Sequence, residues 1–411
     1  VPGSKREGVV GPWPKGVNNR LPDRHVPADA LRNAVNVELL STGTVRRRGG
    51  YTSVAEGVYH SLWCENDVAL GVKNDALIAI DAASLAETTL RAGLSSGNRM
   101  TYLWTPQGVY LSNGVITGRY VDGALAPWGV EHAHGQPTLT ALSTGGLDAG
   151  RYQVAITYQF ADGEEGGTTV AATVEVGSGG GIQAAAIPQP ASSSVTHINV
   201  YVSRANGDVL YHHSTVAVGT TSRTITASTT LGRTLDTQFL YPMPAANVLE
   251  LFNGRIYAAV GNVVWFSEPF RFGQRRPASF MLFPEPVTIL SAVANVGLHV
   301  VSDRHYLLEG GGPEAFTMKT VLDNRGVRGT LVKLPNGIVR AWVTDKGLVT
   351  SPGDGTLELR LTQQIMIEEA TEGSALYQER DGETFILASL RDGQSAAVAG
   401  DFVDAEVIRR S

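Results

Sequence analysis

The sequence predicts an all-β fold, and three observations predict it. The 47 glycines of the 411-residue chain recur in turn dipeptides: Asn113-Gly114, Asp122-Gly123, Asn253-Gly254, Gly261-Asn262, Asn336-Gly337, Asp381-Gly382 and Asp392-Gly393. Such pairs supply the positive φ angles of tight hairpin turns. The runs between them, as in GVYLSNGVITGRYV and GIVRAWVTDKGLVTS, are short, alternating and rich in Val, Ile, Tyr and Thr. Helical periodicity is confined to PADALRNAV (27–35) and QQIMIEEAT (363–371).

The hairpins come in pairs, with a period of roughly 35–45 residues, the length of a four-stranded propeller blade. Candidate blades span 58–91, 99–131, 248–284, 287–322, 329–362 and 375–408. A hairpin over 35–51 is left over, and pairing it with the C-terminal strands to complete a blade would remove open sheet edges. Between the second and third blades the composition shifts to Ala, Thr, Ser, Gly and Val. A low-complexity stretch, GSGGGIQAAAIPQPASSS, reads there as a hinge among longer strands. Tyr152, Val154, Ile156 and Tyr158 alternate onto one face, as a sandwich core requires. The expected organisation is therefore an N-terminal arm with a short helix (1–34), a propeller-like first part (35–135), an inserted immunoglobulin- or fibronectin-like sandwich (136–242) and a propeller-like second part (243–411).

Composition bounds the chemistry. With 43% hydrophobic and 18% charged residues the chain can build a core, and its net charge of −6 argues against bulk nucleic-acid binding. The single cysteine, Cys64, lies in the apolar run SLWCEN and is expected to be a buried thiol. The most apolar stretch, ILSAVANVGLHVV (289–301), is too short and too interrupted to span a bilayer. The first residues, VPGSKREG, have no apolar core of the kind a secretory leader needs.

No catalytic constellation emerges. G-x-S-x-G and H-E-x-x-H are absent, and the glycine-rich stretches lack the Lys-Ser/Thr of a phosphate loop. No enzyme activity, cofactor or metal is therefore expected. His132/His134 and His212/His213 lack a third ligand pattern and read as exposed turn and strand residues. The acidic run Asp162-Gly163-Glu164-Glu165-Gly166-Gly167 lacks calcium-loop spacing and reads as a solvated hairpin tip. Glu268, near Arg255 and Arg271 in sequence, reads as one half of a structural ion pair. Trp104, Trp128 and Trp265 read as core.

One polar cluster stands out: NVELLSTGTVRRRGG (36–50) stacks Arg46, Arg47 and Arg48 beside a small turn. As a hairpin, Glu38 lies opposite Arg47 or Arg46, a favourable cross-strand pair. Alternation sends Arg46 and Arg48 to one face and Arg47 to the other. A nucleic-acid grip, an ion-paired hairpin and a subunit contact all need arginines here; the acidic balance favours the last two, so Glu38, Arg46, Arg47 and Arg48 are the candidate subunit-interface residues.

The order GVNNRLPDRHVPADALRNAVNVELLSTGTVRRRGGYT (16–52), then AGRYQVAITYQFADGEEG and INVYVSRANGD, then LFNGRIYAAVGNVVWFSEPFRFGQRRPASFMLFP (251–284) resembles phage tail proteins of the nozzle, tail hub or "stabilisation" type from short-tailed bacteriophages. The matching stretches cover about a third of the chain. The resemblance implies a propeller-containing protomer, assembled as a six-fold homo-oligomeric ring in the virion tail. Such a ring docks on a head-to-tail adaptor below the portal, meets other tail proteins, and passes genomic DNA during ejection. A carbohydrate- or receptor-binding propeller of the virion is the competing expectation.

Overall fold

Paired positive-φ residues close the hairpins. Asn74-Asp75 (φ 48° and 60°), Asp122-Gly123 (50° and 80°) and Asn253-Gly254 (44° and 74°) each form the two-residue turn whose twist matches the flanking strands. The structure is a computed structural model. It describes residues 11–35, 37–40, 42–47, 54–95, 98–227, 231–335, 337–362, 364–365, 367, 370–380, 383–392 and 406–409. Arg48, Asn336, Asp381, Gly382 and Gly393, and Gln363, Met366, Glu368 and Glu369 of the second expected helix, lie outside the described residues. The chain divides into two compact units, one of 61–282 and one of 1–60 with 283–411.

In the discontinuous unit, the N-terminal hairpin pairs β1 (Val37–Leu39) with β2 (Val45–Arg47), placing Glu38 opposite Arg46. Among the described residues these strands pair only with each other, and none of the described C-terminal strands joins them as the sequence led one to expect. The helix expected over 27–35 is also absent. A 3-10 turn at Asp23–His25 precedes a Pro27–Ala30 turn instead. Pro27 cannot donate in a helix, and the Leu31 and Asn18 amides are spent on the carbonyls of Gly16 and Leu31, at 2.8 and 2.6 Å.

In the 61–282 unit, β3 (Tyr59–Glu65), β4 (Val68–Lys73), β5 (Ala76–Ile80) and β6 (Glu87–Arg91) form one antiparallel meander, and β7 (Thr101–Thr105), β8 (Gly108–Ser112), β9 (Thr117–Val121) and β10 (Ala124–Ala126) form the next. Leu70, Val72, Leu77, Val109 and Leu111 share one core between these two sheets. Trp63 turns into that core, which sends its neighbours on the first strand outward. Leu62 is 62% exposed, and Cys64 is exposed rather than buried.

The inserted segment carries β11 (Thr138–Leu147), β12 (Gly150–Phe160), β13 (Ala172–Val176), β14 (Gly180–Ala185), β15 (Val195–Ser203), β16 (Leu210–Ala217) and β17 (Ser222–Ile225). These make two sheets, β11-β14-β17 and β13-β12-β15-β16, over one core. Tyr152, Val154, Ile156 and Tyr158 all lie in that core. The first two strands lie in different sheets, whereas in an immunoglobulin constant-type domain they share one. The low-complexity stretch is no hinge. Its residues 180–185 form the central strand of the three-stranded sheet, where Gly180 and Gly181 lie buried.

After the insert, β18 (Tyr241–Pro242) is followed by β19 (Val248–Phe252), β20 (Arg255–Val260), β21 (Val263–Phe266), β22 (Gln274–Arg275) and β23 (Phe280–Leu282). β18 pairs with β22, and the other four form a third meander. Leu103 and Tyr110 pack with Leu249, Ile256 and Ala258, so the second and third sheets share a core directly and residues 136–242 are inserted between them.

The second unit continues with β24 (Ile289–Val293), β25 (Gly297–Val301), β26 (His305–Glu309) and β27 (Thr317–Leu322), then β28 (Val332–Lys333), β29 (Arg340–Thr344), β30 (Gly347–Ser351) and β31 (Glu358–Arg360), and a three-stranded sheet of β32 (Ala370–Arg380), β33 (Glu383–Asp392) and β34 (Glu406–Arg409). The apolar stretch 289–301 is thus a buried hairpin. Ile289, Val301, Trp342 and Val349 join the first two of these sheets. Beside them, Trp342 Nε1 donates to His305 Nε2 at 2.9 Å. Indole only donates, so that nitrogen is the acceptor and Nδ1–H faces the Asn324 carbonyl at 2.9 Å. His305 is therefore held neutral. Among the described residues no helix is long and apolar enough to cross a membrane.

Candidate functional site

The outer face of the insert's larger sheet carries polar residues between its core positions. Thr157 and Asn199 face each other across β12 and β15, and Tyr201 follows on the same face. The acidic run after β12 folds back over this face, with Gly166 N bonded to Tyr158 O at 2.8 Å. Only Ala161 to Gly163 form an exposed tip; Glu165 is 7% exposed. Its carboxylate accepts from Thr157 Oγ1, from Asn199 Nδ2 at 3.0 Å and from the Tyr201 hydroxyl at 2.8 Å, and pairs with Arg233 at 2.6 Å. The solvated tip expected from sequence is corrected: a desolvated carboxylate needs several donors, and the strand face supplies them.

Glu164, one residue earlier, also lines a cleft of about 350 Å³. Gln107, Tyr110 and Arg119 of the second sheet and its turn, Asp162 to Glu165, Arg233 and Asp236 of the insert, and Phe270 to Gln274 between β21 and β23 line it. Tyr110 stands edge-on to Trp128 and Phe272, with centroids 5.4 and 5.7 Å away, and forms an aromatic floor. Three ion pairs fix the walls: Arg119–Asp162 at 2.9 Å, Arg233–Glu165, and Arg271–Asp236. A Cβ on Gly273 would sit 2.6 Å from Gly129 Cα and 2.5 Å from Glu164 Oε1, so the backbone contact selects glycine there and leaves Glu164 its space. Burial pushes the Glu164 carboxyl up, opposed by nearby Arg119 and reinforced by Asp162.

The interface residues expected from sequence lie elsewhere. Arg46 donates from Nε at 3.1 Å and Nη2 at 2.8 Å to Glu38 Oε2, which settles the pairing in favour of Arg46. Arg47 is exposed on the other face, and Arg48 lies outside the described residues. Glu268 pairs with Arg276 at 3.4 Å; Arg271 is taken by Asp236, and Arg255 donates to the Ser267 carbonyl at 2.7 Å. His132 is buried rather than exposed, stacked on Tyr241 at 4.2 Å with Nδ1 bonded to Leu240 O at 2.9 Å, while His134 is exposed. Among the described residues no three His, Cys, Asp or Glu side chains converge as a metal site. Trp128 is core, Trp104 is half-buried against the first two sheets, and Trp265 lies under the Arg275 guanidinium at 3.9 Å.

The cleft itself was missed in sequence because its walls come from three distant segments. The one local signal was the Glu-Glu-Gly-Gly run, where bare glycines permit close approach. A Cβ on Gly167 would sit 1.8 Å from Leu240 O.

No known family's profile and no curated protein matches the chain. Among solved structures it is similar to the Pan2 WD40 domain of Neurospora crassa, at 11% identity over 82% of this chain and 87% of that one, with a TM-score of 0.32. The Cps50 (Swd1) β-propeller domain of Myceliophthora thermophila gives 11% identity over 84% and 96%, with a TM-score of 0.32. The WD40 domain of SCAP from fission yeast gives 8% identity over 87% and 77%, with a TM-score of 0.26.

Proposed function

We propose that the protein is a non-enzymatic structural subunit of a bacteriophage tail, a nozzle or hub protomer. In this reading, copies form a six-fold ring that continues the DNA channel below portal and adaptor and serves tail assembly and genome ejection. Consecutive four-stranded meanders that share cores have the form of propeller blades, and 136–242 is the inserted sandwich, immunoglobulin-like in its layering and with its own strand order.

One observation carries the reading. Two of the stretches on which the resemblance rests form hairpins, in chain order, while the short helix of the opening stretch is replaced by a 3-10 turn at Asp23–His25. Residues 37–47 form a hairpin tied by Glu38–Arg46, and 251–282 run as an Asn-Gly hairpin followed by a Gly-Asn hairpin within one sheet. Arg47, exposed on the hairpin, is the arginine available to a neighbouring copy.

Negative-stain imaging with a light-scattering mass tests this. Six-fold rings support it. A 43.6 kDa monomer that also fails to bind a purified portal–adaptor complex refutes it, and a saturable hit in a glycan screen would then favour a receptor-binding protein.

A further inference from the structure

The cleft beside the insert has an unbalanced charge. Its lining holds three cations, Arg119, Arg233 and Arg271, and each is matched to a carboxylate: Asp162, Glu165 and Asp236. Glu164 is the fourth carboxylate and is left over. Its backbone amide is held by Asp162 Oδ1 at 3.0 Å. Among the described residues no side chain or backbone group donates to its carboxylate, and Arg119, whose charge reaches it, bonds Asp162 through Nη2 while its buried Nε has no acceptor. Gln274 gives a second, independent sign. It is 2% exposed and lines the cleft, and its Oε1 has no donor. At the rim stands Phe270, 72% exposed at a φ of 57°.

A half-buried carboxylate without a donor, a second orphan acceptor and an exposed aromatic face call for one kind of ligand. It must be cationic, rich in N–H donors, and flat enough to lie on a ring. We propose that the cleft is a binding site for a guanidinium group, with Glu164 as counter-ion, Gln274 as a further acceptor and Phe270 as the stacking face. The group belongs either to a small molecule or to an arginine of a second copy of this chain. The inference stands apart from the tail reading, since it needs only the 61–282 unit's own cleft.

Agmatine is the probe, titrated calorimetrically into the full chain, with N-butylurea as its uncharged counterpart. We expect saturable binding of one agmatine per chain at about millimolar strength or tighter, and no saturation with butylurea. Glu164→Gln should weaken agmatine at least tenfold while circular dichroism and melting stay unchanged. Phe270→Ala should weaken it several-fold. Binding to the native chain should tighten as pH rises through the Glu164 titration, because the carboxylate must ionise, and Glu164→Gln should abolish that dependence. No saturable binding, equal binding by Glu164→Gln, or equal binding of butylurea would each overturn the proposal. Sedimentation with and without agmatine separates the sources: assemblies that agmatine dissolves place the arginine on a neighbouring copy, and agmatine bound without change of mass assigns the site to a small molecule.

Discussion

Replacing Glu165 with alanine tests the network that holds the acidic run on the insert. The carboxylate is the common acceptor for Thr157, Asn199 and Tyr201, all buried. Each buried donor stripped of its acceptor costs about 1–3 kcal/mol. The losses overlap, because one carboxylate serves all three; the bond that Asn199 keeps, from Thr215 to its Oδ1 at 2.6 Å, does not relieve the stripped Nδ2 donor. Arg233 adds little, since its side chain is 57% exposed and water replaces its partner. The expected total is about 3–5 kcal/mol, the usual cost of deleting one member of a buried charged cluster. Glu165→Gln keeps a carbonyl acceptor and should lose about 1–2 kcal/mol.

A whole-chain melt would blend two units, so amide hydrogen exchange in β12 and β15 is the better readout. A loss of 3–5 kcal/mol should speed their exchange by about two to three and a half orders of magnitude. Amides of β25 and β26, in the other unit, serve as the internal reference. Exchange in β12 and β15 that rises less than about fivefold would refute the network's role, because about 1 kcal/mol is what a single exposed pair can supply.

Acid should loosen the other unit. Burial holds His305 down to about 4, against about 6.5 in the unfolded chain, so its stabilisation is whole above pH 6.5 and lost as pH falls toward 4. His299 is likewise held at about 4, chiefly by burial, with His305 and Arg340 pushing it the same way and Asp354 opposing. One such imidazole is worth on the order of 3 kcal/mol. Urea midpoints read from β26 exchange at pH 7 and 4.5 should show this, with a smaller dependence in His305→Gln; equal slopes for both proteins would count against it. Gly167→Ala should disrupt the contact between the acidic run and Leu240, where a Cβ would sit 1.8 Å from the carbonyl. A loss above about 2 kcal/mol in exchange of nearby amides checks it. Arg46→Ala should cost under about 1 kcal/mol, because its side chain is 38% exposed; Arg47→Glu should leave the fold untouched and, if rings form, shift their assembly in sedimentation.

The sheets were legible because their information is local. Asn253-Gly254 and Asp122-Gly123 force one hairpin geometry whatever surrounds them, and strict alternation in β12 points four large residues at one core. Where elements depend on distant partners, local reading failed. PADALRNAV has helical spacing, yet the pairing of Leu31 with Gly16 takes its backbone elsewhere. GSGGGIQAAA has the composition of a hinge, yet it is the central strand. A Cβ on Gly180 would meet Leu142 O at 2.7 Å, so the position selects the absence of a side chain that composition reads as flexibility.

The same distinction governs charged residues. Glu38 and Arg46 sit in one hairpin, so alternation narrows the partner of Glu38 to Arg46 or Arg47, and the observed register selects Arg46. Glu164 and Glu165 are neighbours in sequence with opposite fates, one closed inside a network and one left over in a cleft. Nothing within the run separates them; the difference comes from Asn199, Tyr201 and Arg233 on one side and Gly273 on the other. A carboxylate's role is set by how many donors reach it. Apart from Thr157, the donors to Glu165 are 34 to 68 residues away in the chain, so charge pattern alone could identify the run as acidic but not say which acid is satisfied. Glu164→Gln and Glu165→Gln therefore separate the two roles. The first should leave β12 exchange unchanged and the second should raise it. Equal effects would mean that the two carboxylates serve one network.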